Sequence, residues 1–267
     1  MLASRYFVDL TQPEIAAQLK KNPLVILPQG SVEQHGPHLP TGTDSFAANV
    51  IAHAVAEGMD GLVLPGGPLG VTPLHMPFEG TITLSPQTYI NLVIETCAST
   101  AQHGAKYLLI LNWHELNIPA LAIAAEALHR EHGMTVLTVQ ACFVAEDMFG
   151  KECNGLTHGG EIETLAVLAH RPELVHLDRI DYSSDHAHGS KIDHLRRTRS
   201  YQPVLTDVRS IAPTGWYGTP QHATMEKSVS MIHGLASAIS KEATAIFKEL
   251  DRIQGGTGEL KQVQKEN

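Results

Sequence analysis

Residues 24–58, LVILPQGSVEQHGPHLPTGTDSFAANVIAHAVAEG, place three kinds of sequence in a row. The first is a short apolar run, Leu24 to Leu27, closed by Gly30, which reads as a buried strand. The last, from Asp44 onward, repeats apolar residues at helical spacing. Between them Glu33, His35, His38 and Asp44 lie on a segment broken by Gly30, Gly36, Pro37, Pro40 and Gly42. Such a segment cannot be a helix. Strand, loop and helix in this order are the opening half of a βαβ unit, and they put four side chains able to bind metal beside a strand's carboxyl end.

The pattern recurs downstream. Apolar runs bounded by turn residues occur at 61–66 (GLVLPG), 107–112 (YLLILN) and 134–140 (MTVLTVQ). Helical patterns start at Ser85 and Asn117, with Ser85 a natural N-cap before Pro86 and with Gly104 and Gly133 as stops. Alternating strands and helices predict right-handed crossovers and a three-layer α/β/α sandwich around a mostly parallel sheet. Ligands of such sheets gather just past the carboxyl ends of the strands. The second half is less regular: a helix at 159–170 entered through Gly159 and Gly160, a long loop at 181–203, and a closing helix at 224–250. These readings give one domain over 1–254 and a polar tail at 255–267.

Composition narrows the function. The chain has 267 residues, 43% hydrophobic and 18% charged, which is globular composition. A net charge of −9 without a basic stripe argues against nucleic acid, since phosphate binding needs clustered Lys and Arg. The cluster Arg196, Arg197 and Arg199 reads instead as a solvated loop or a subunit contact. Cys97, Cys142 and Cys153 have neither disulfide nor zinc-thiolate spacing and are expected to be reduced and buried. No apolar run is long enough for a signal peptide or membrane span, so the expected location is the cytoplasm.

Sixteen histidines are too many for any one of them to be informative. Convergence is informative. Glu33, His35 and Asp44 follow the first strand, His114 and Glu115 follow the third, and His158, Glu161 and Glu163 stand at a helix start. All are expected at one end of the sheet. Carboxylates and imidazoles suit divalent cations, and a pair of ions needs a carboxylate whose two oxygens can bridge them. His186 and His188 lack a nearby carboxylate pattern and read as surface residues.

Taken together, GSVEQHGPHLPTGTD, LLNWHELN, THGGEIETLAVL and GWYGTPQHATMEKS resemble the creatininase (creatinine amidohydrolase) family in order and spacing. The resemblance implies a hydrolase with two divalent ions, zinc, manganese or iron, that cleaves amide-type C–N bonds. It implies Glu33 and His114 on one ion, His35 on the other and Asp44 bridging. Leu116 stands where creatininase has a further metal-binding glutamate, and Glu161 is the expected replacement. Glu115 is then expected to face substrate or solvent, and Glu163 to orient the site from behind. His158 is the candidate general acid, with the amides around Gly159 and Gly160 as oxyanion donors. Trp216 is the candidate substrate contact, with packing beneath the pocket as the alternative. Asn154 and Gly155 replace a tryptophan and an aspartate that grip creatinine in creatininase, which implies a different substrate. The remaining alternatives are a C–C or ester hydrolase of a polyol-derived ring and a non-enzymatic metal-binding paralogue. The resemblance also implies a homo-oligomer, a hexamer, and the lack of a long apolar run leads us to expect no membrane partner.

Overall fold

A computed structural model of the chain describes Leu2, residues 4–183 and residues 204–254. The elements run α1 (Gln12–Lys21), β1 (Leu24–Gln29), α2 (Thr43–Met59), β2 (Leu62–Val63), α3 (Pro86–Ala101), β3 (Tyr107–Asn112), α4 (Ile118–His132), β4 (Thr135–Gln140), α5 (Ala141–Phe149), α6 (Glu161–His170) and α7 (Met225–Gln254). The four strands are parallel in the order β2-β1-β3-β4. Each expected strand is present, and β2 is shorter than its apolar run. Helices α1 and α5 were not among the expected elements. His186, His188 and the Arg196–Arg199 cluster lie outside the described residues, as does the tail.

The strands read as continuous apolar runs because both faces are covered. Along β1, Leu24 and Ile26 enter one core and Val25 and Leu27 the other; along β3, Tyr107, Leu109 and Leu111 alternate with Leu108 and Ile110. The first core packs against α2, α5, α6 and α7, the second against α1, α3 and α4. Helices on both faces make the three-layer sandwich. Local capping agrees with it: the Ser85 hydroxyl accepts from Thr88 N–H, and Gly133 ends α4 in the left-handed region at φ +67°. Among the described residues no helix is long and apolar enough to cross a membrane.

This strand order fixes where a site can form. From β1 the chain crosses to β2 on one side and later to β3 on the other, so the connections diverge above β1 and β3. The gap between them is the crevice in which open α/β sheets bind ligands. Asn117 stitches that crevice together. Its side-chain amide donates to Gly30 O (2.9 Å) and Asn112 Oδ1 (3.2 Å), and its Oδ1 accepts from Val71 N–H (2.9 Å).

Gly30 lets β1 run close under the start of α2. A Cβ there would lie 2.4 Å from Ser45 N and 2.5 Å from Asp44 C, both backbone atoms that cannot swing aside. Gly30→Ala is therefore expected to displace Asp44 and cost about 1–3 kcal/mol of stability, as overpacking does. Urea unfolding reads the stability, and metal uptake by the folded variant reads the displacement; an unchanged midpoint with unchanged uptake would refute the constraint.

Candidate active site

The loop after β1 is held shut by Glu33 N–H donating to Thr41 O at 2.9 Å, and turns at Gly36 in the left-handed region (φ +73°). It thereby delivers Glu33 and His35 inward, and Asp44 follows on the first turn of α2. His114 comes from the residues just past β3. Glu163 comes from the first turn of α6. All five are buried, Glu33 at 2% and His35 at 1% exposure.

Three overlapping groups emerge: Glu33 with Asp44 and His114, His35 with Asp44 and Glu163, and Glu33 with His35 and His158. Within each, one ligand atom per residue lies within 4.8 Å of the others. Asp44 belongs to the first two through different oxygens. Its Oδ2 is 3.0 Å from His114 Nδ1, and its Oδ1 is 3.3 Å from His35 Nε2. Glu33 Oε2 is 3.3 Å from His114 Nδ1, and Glu163 Oε2 is 3.6 Å from His35 Nε2.

The tautomers follow from the outer hydrogen bonds. His35 Nδ1–H donates to Glu33 O (3.0 Å), and His114 Nε2–H donates to Val71 O (3.1 Å). The other nitrogen of each ring is thus turned between carboxylates, and His35 Nε2 is buried without a hydrogen-bond partner. A ring nitrogen so held has two ways to be satisfied: a proton or a metal ion. Burial alone would lower these imidazolium pKa values. The carboxylates outweigh it, Asp44, Glu163 and Glu33 lifting His35 to about 10 and Glu33 and Asp44 lifting His114 to about 9.

Glu161 does not join this cluster. Residues 161 and 163 are about 200° apart around a helix, so they cannot share a face. Lys227 Nζ on α7 claims Glu161 Oε1 at 2.7 Å, and the Glu161 side chain is 1% exposed. Its expected place beside His35 is taken by Glu163. Glu163 also accepts from Gly159 N–H at 2.6 Å, which commits that amide and removes it as an oxyanion donor.

His158 stacks on His35, ring centroids 4.4 Å apart. Its Nε2–H donates to Gln34 O at 2.7 Å, leaving Nδ1 to face the cluster 3.9 Å from Glu33 Oε1. Burial and the neighbouring His35 charge hold its pKa well below the ordinary range, so it is neutral at neutral pH. Glu115 is half-buried on a short 3-10 turn and lines the pocket outside the three groups. Trp216 is 2% exposed and packs edge-on against His38, itself tied to Gly159 O at 2.7 Å. Trp216 is not among the pocket-lining residues, whereas Tyr217 is. The packing alternative is thus the one observed for Trp216, and His38 serves the loop instead of the cluster.

His75 belongs to the site although the sequence reading passed over it. Gly36 N–H donates to Gln34 Oε1 (3.1 Å), which orients that amide so that Nε2 donates to His75 Nδ1 (3.2 Å). His75 Nε2–H then points at Glu33 Oε1, 3.5 Å away. Thr72 holds the other Glu33 oxygen with a short hydrogen bond. Both residues sit on the connection past β2, so the strand-end rule that found the others reaches them too.

In the metal-free protein the two raised imidazoles are charged near neutral pH. Cations entering the cluster displace one proton from each, so metal affinity is expected to rise with pH up to about 9 to 10, the raised values themselves. By the same linkage, the stability these protons lend the metal-free form is full below pH 6.5 and fades as pH climbs through those values. Titration calorimetry in buffers of different ionisation enthalpy counts the protons; release of none would contradict this arrangement.

Comparison with known proteins gives the family. The creatininase family profile, described as creatinine amidohydrolase, matches residues 8–242. A mycofactocin precursor peptide peptidase of Mycobacterium ulcerans is 30% identical over 76% of this chain and 77% of its own. Creatinine amidohydrolase of Pseudomonas putida is 27% identical over 91% of this chain and 98% of its own. A solved manganese creatininase superposes with a TM-score of 0.75 at 25% identity, covering 91% of this chain and 99% of that one. Family profile, curated relatives and fold coincide on one conclusion: the chain belongs to the creatininase family, whose members here are hydrolases.

Proposed function

We propose that this chain hydrolyses an amide-type C–N bond with two divalent ions, one held by Glu33, Asp44 and His114, the other by His35, Asp44 and Glu163. The observation that carries the reading is Asp44, whose two oxygens face two different imidazoles, each tied to a backbone carbonyl by one ring nitrogen and turning the other inward. Three buried carboxylates on two imidazoles leave an excess of negative charge that cations offset. The donor set of carboxylate oxygens and imidazole nitrogens suits zinc, manganese or iron. Both the creatinine amidohydrolase and the peptide peptidase act, by their names, on C–N bonds.

When bound, the ions supply a water ionised near neutral pH, its pKa lowered from about 15.7 to about 7, and a Lewis acid for the carbonyl. The protein residues supply orientation and proton transfer. His158 Nδ1 is unprotonated at rest and faces the cluster, so it first accepts the proton left on the tetrahedral adduct's hydroxyl. It then returns that proton to the departing nitrogen, which cannot leave as an anion. Gln34 O keeps the ring's far side fixed during both transfers. His75 and Thr72 hold the Glu33 carboxylate from behind, and Asn112 braces the His114 backbone, its Nδ2 donating to His114 O at 2.6 Å. A small amide, a formamide or a peptide bond presents the group this machinery handles.

Manganese- or zinc-loaded protein assayed against cyclic amides, formamides and peptides tests the reading. Turnover of none, with metal bound, would favour a binding paralogue. Glu163→Gln is expected to lose one of two ions, counted by elemental analysis, and about 100-fold or more in activity. Glu161→Gln is expected to keep both ions, because its partner is Lys227. Reversal of that pair would return the second site to Glu161. His158→Ala should lower kcat by about 10²–10⁴ with metal content unchanged.

A further inference from the structure

The metal pocket is narrow, with about 60 Å³ of free volume, room for a handful of water-sized atoms and not for a substrate's body. Leu74, Glu115, Leu116 and Phe143 line it and also line a second cavity of about 1120 Å³. That cavity is an apolar groove beside β4, walled by α5 and α7. Whatever places its reacting bond in the pocket has its bulk in the groove.

Among the described residues the groove's floor is a sheet edge that no further strand covers. β4 is the last strand in the order, and Thr135 N–H donates inward to Lys106 O at 2.8 Å. Period two then turns the N–H and C=O of Val136 and Thr138 outward, with the N–H of Gln140, whose C=O caps α5. The strand, TVLTVQ, has no charge or proline, the usual guards of an edge, and Thr138 is exposed.

We propose that the substrate is an extended peptide that pairs with β4 as a fifth strand, its apolar side chains in the groove and its scissile amide in the metal pocket. This rests on the amide-hydrolase reading above. An added strand would lie about 10 Å from β3, which carries His114 just past its end, so about three extended residues separate the paired segment from the cut bond. Water adds across that bond, OH to the carbonyl carbon and the proton to nitrogen. The exposed charges along the groove, Asp147 and Glu242 against Lys241, favour a neutral or basic peptide. A second copy of this chain would bring the same acidic excess to the groove.

The manganese-loaded full chain is tested with Leu/Ser peptides of two to ten residues containing one Lys or one Glu, with free and blocked ends, and with formanilide. We expect kcat/KM to rise about tenfold or more once length passes about five residues, and Thr138→Pro to reverse that gain through KM. Lys241→Glu, should the proline variant not fold, is expected to raise the preference for Lys- over Glu-containing peptides. In metal-free protein the ten-residue peptide should slow hydrogen exchange at Val136, Thr138 and Gln140, whether or not it can be cut. Unprotected amides, or a flat length profile with formanilide still cleaved, would overturn the proposal and leave the hydrolase reading standing. A native oligomer that Thr138→Pro dissociates would give the groove to a second copy and overturn it as well. Bound peptide with no amide cleaved would retain the groove and sink the hydrolase reading instead.

Discussion

Three carboxylates, those of Glu33, Asp44 and Glu163, are packed around one point that water barely reaches. Their mutual repulsion is the constraint the rest of the molecule answers. Two imidazoles turn a nitrogen inward, and each is held from behind by a backbone carbonyl so that it cannot rotate away. Without cations the cluster retains protons, and burial and repulsion favour exchanging those protons for metal. The hydrogen bonds that Ser31 gives Asp44 and that Thr72 and Gly159 give the two glutamates fix the oxygens that remain.

The sheet makes such concentration possible. Parallel strands end together, and the divergence of connections above β1 and β3 leaves a crevice no crossover fills. Helix α2 starts at that crevice, with Asp44 in its first turn. The apolar runs of β1 and β3, buried on both faces, give the crevice a rigid base, and Tyr107 OH bonding Asp251 (2.6 Å) ties the long α7 back onto it. Rigidity matters because ligands misplaced by an ångström lose their function.

Much of this was legible beforehand. Short apolar runs with glycine stops can only be buried strands in this context, and glycine with proline can only be loop. The residues that bind nothing on their own, Glu33, His35, Asp44 and His114, were readable as a set because strand ends converge in any parallel sheet. For Trp216 the sequence left substrate contact and packing both open, since the pocket's wall is built from segments distant in sequence. His75 lay within reach of the strand-end rule, but its orientation depends on Gln34 and on the bend of a loop.

By itself the sequence determined the layers, the strand ends and the chemical kind of the site, because hydrophobic period and turn residues act locally. Only tertiary structure sets Glu163, and not Glu161, beside His35. Two positions on one helix turn point in different directions, and the rotation of α6 is set by its packing and by Lys227, 66 residues further along the chain. The groove beside β4 has the same origin: an edge is open or covered only once every other element has found its place.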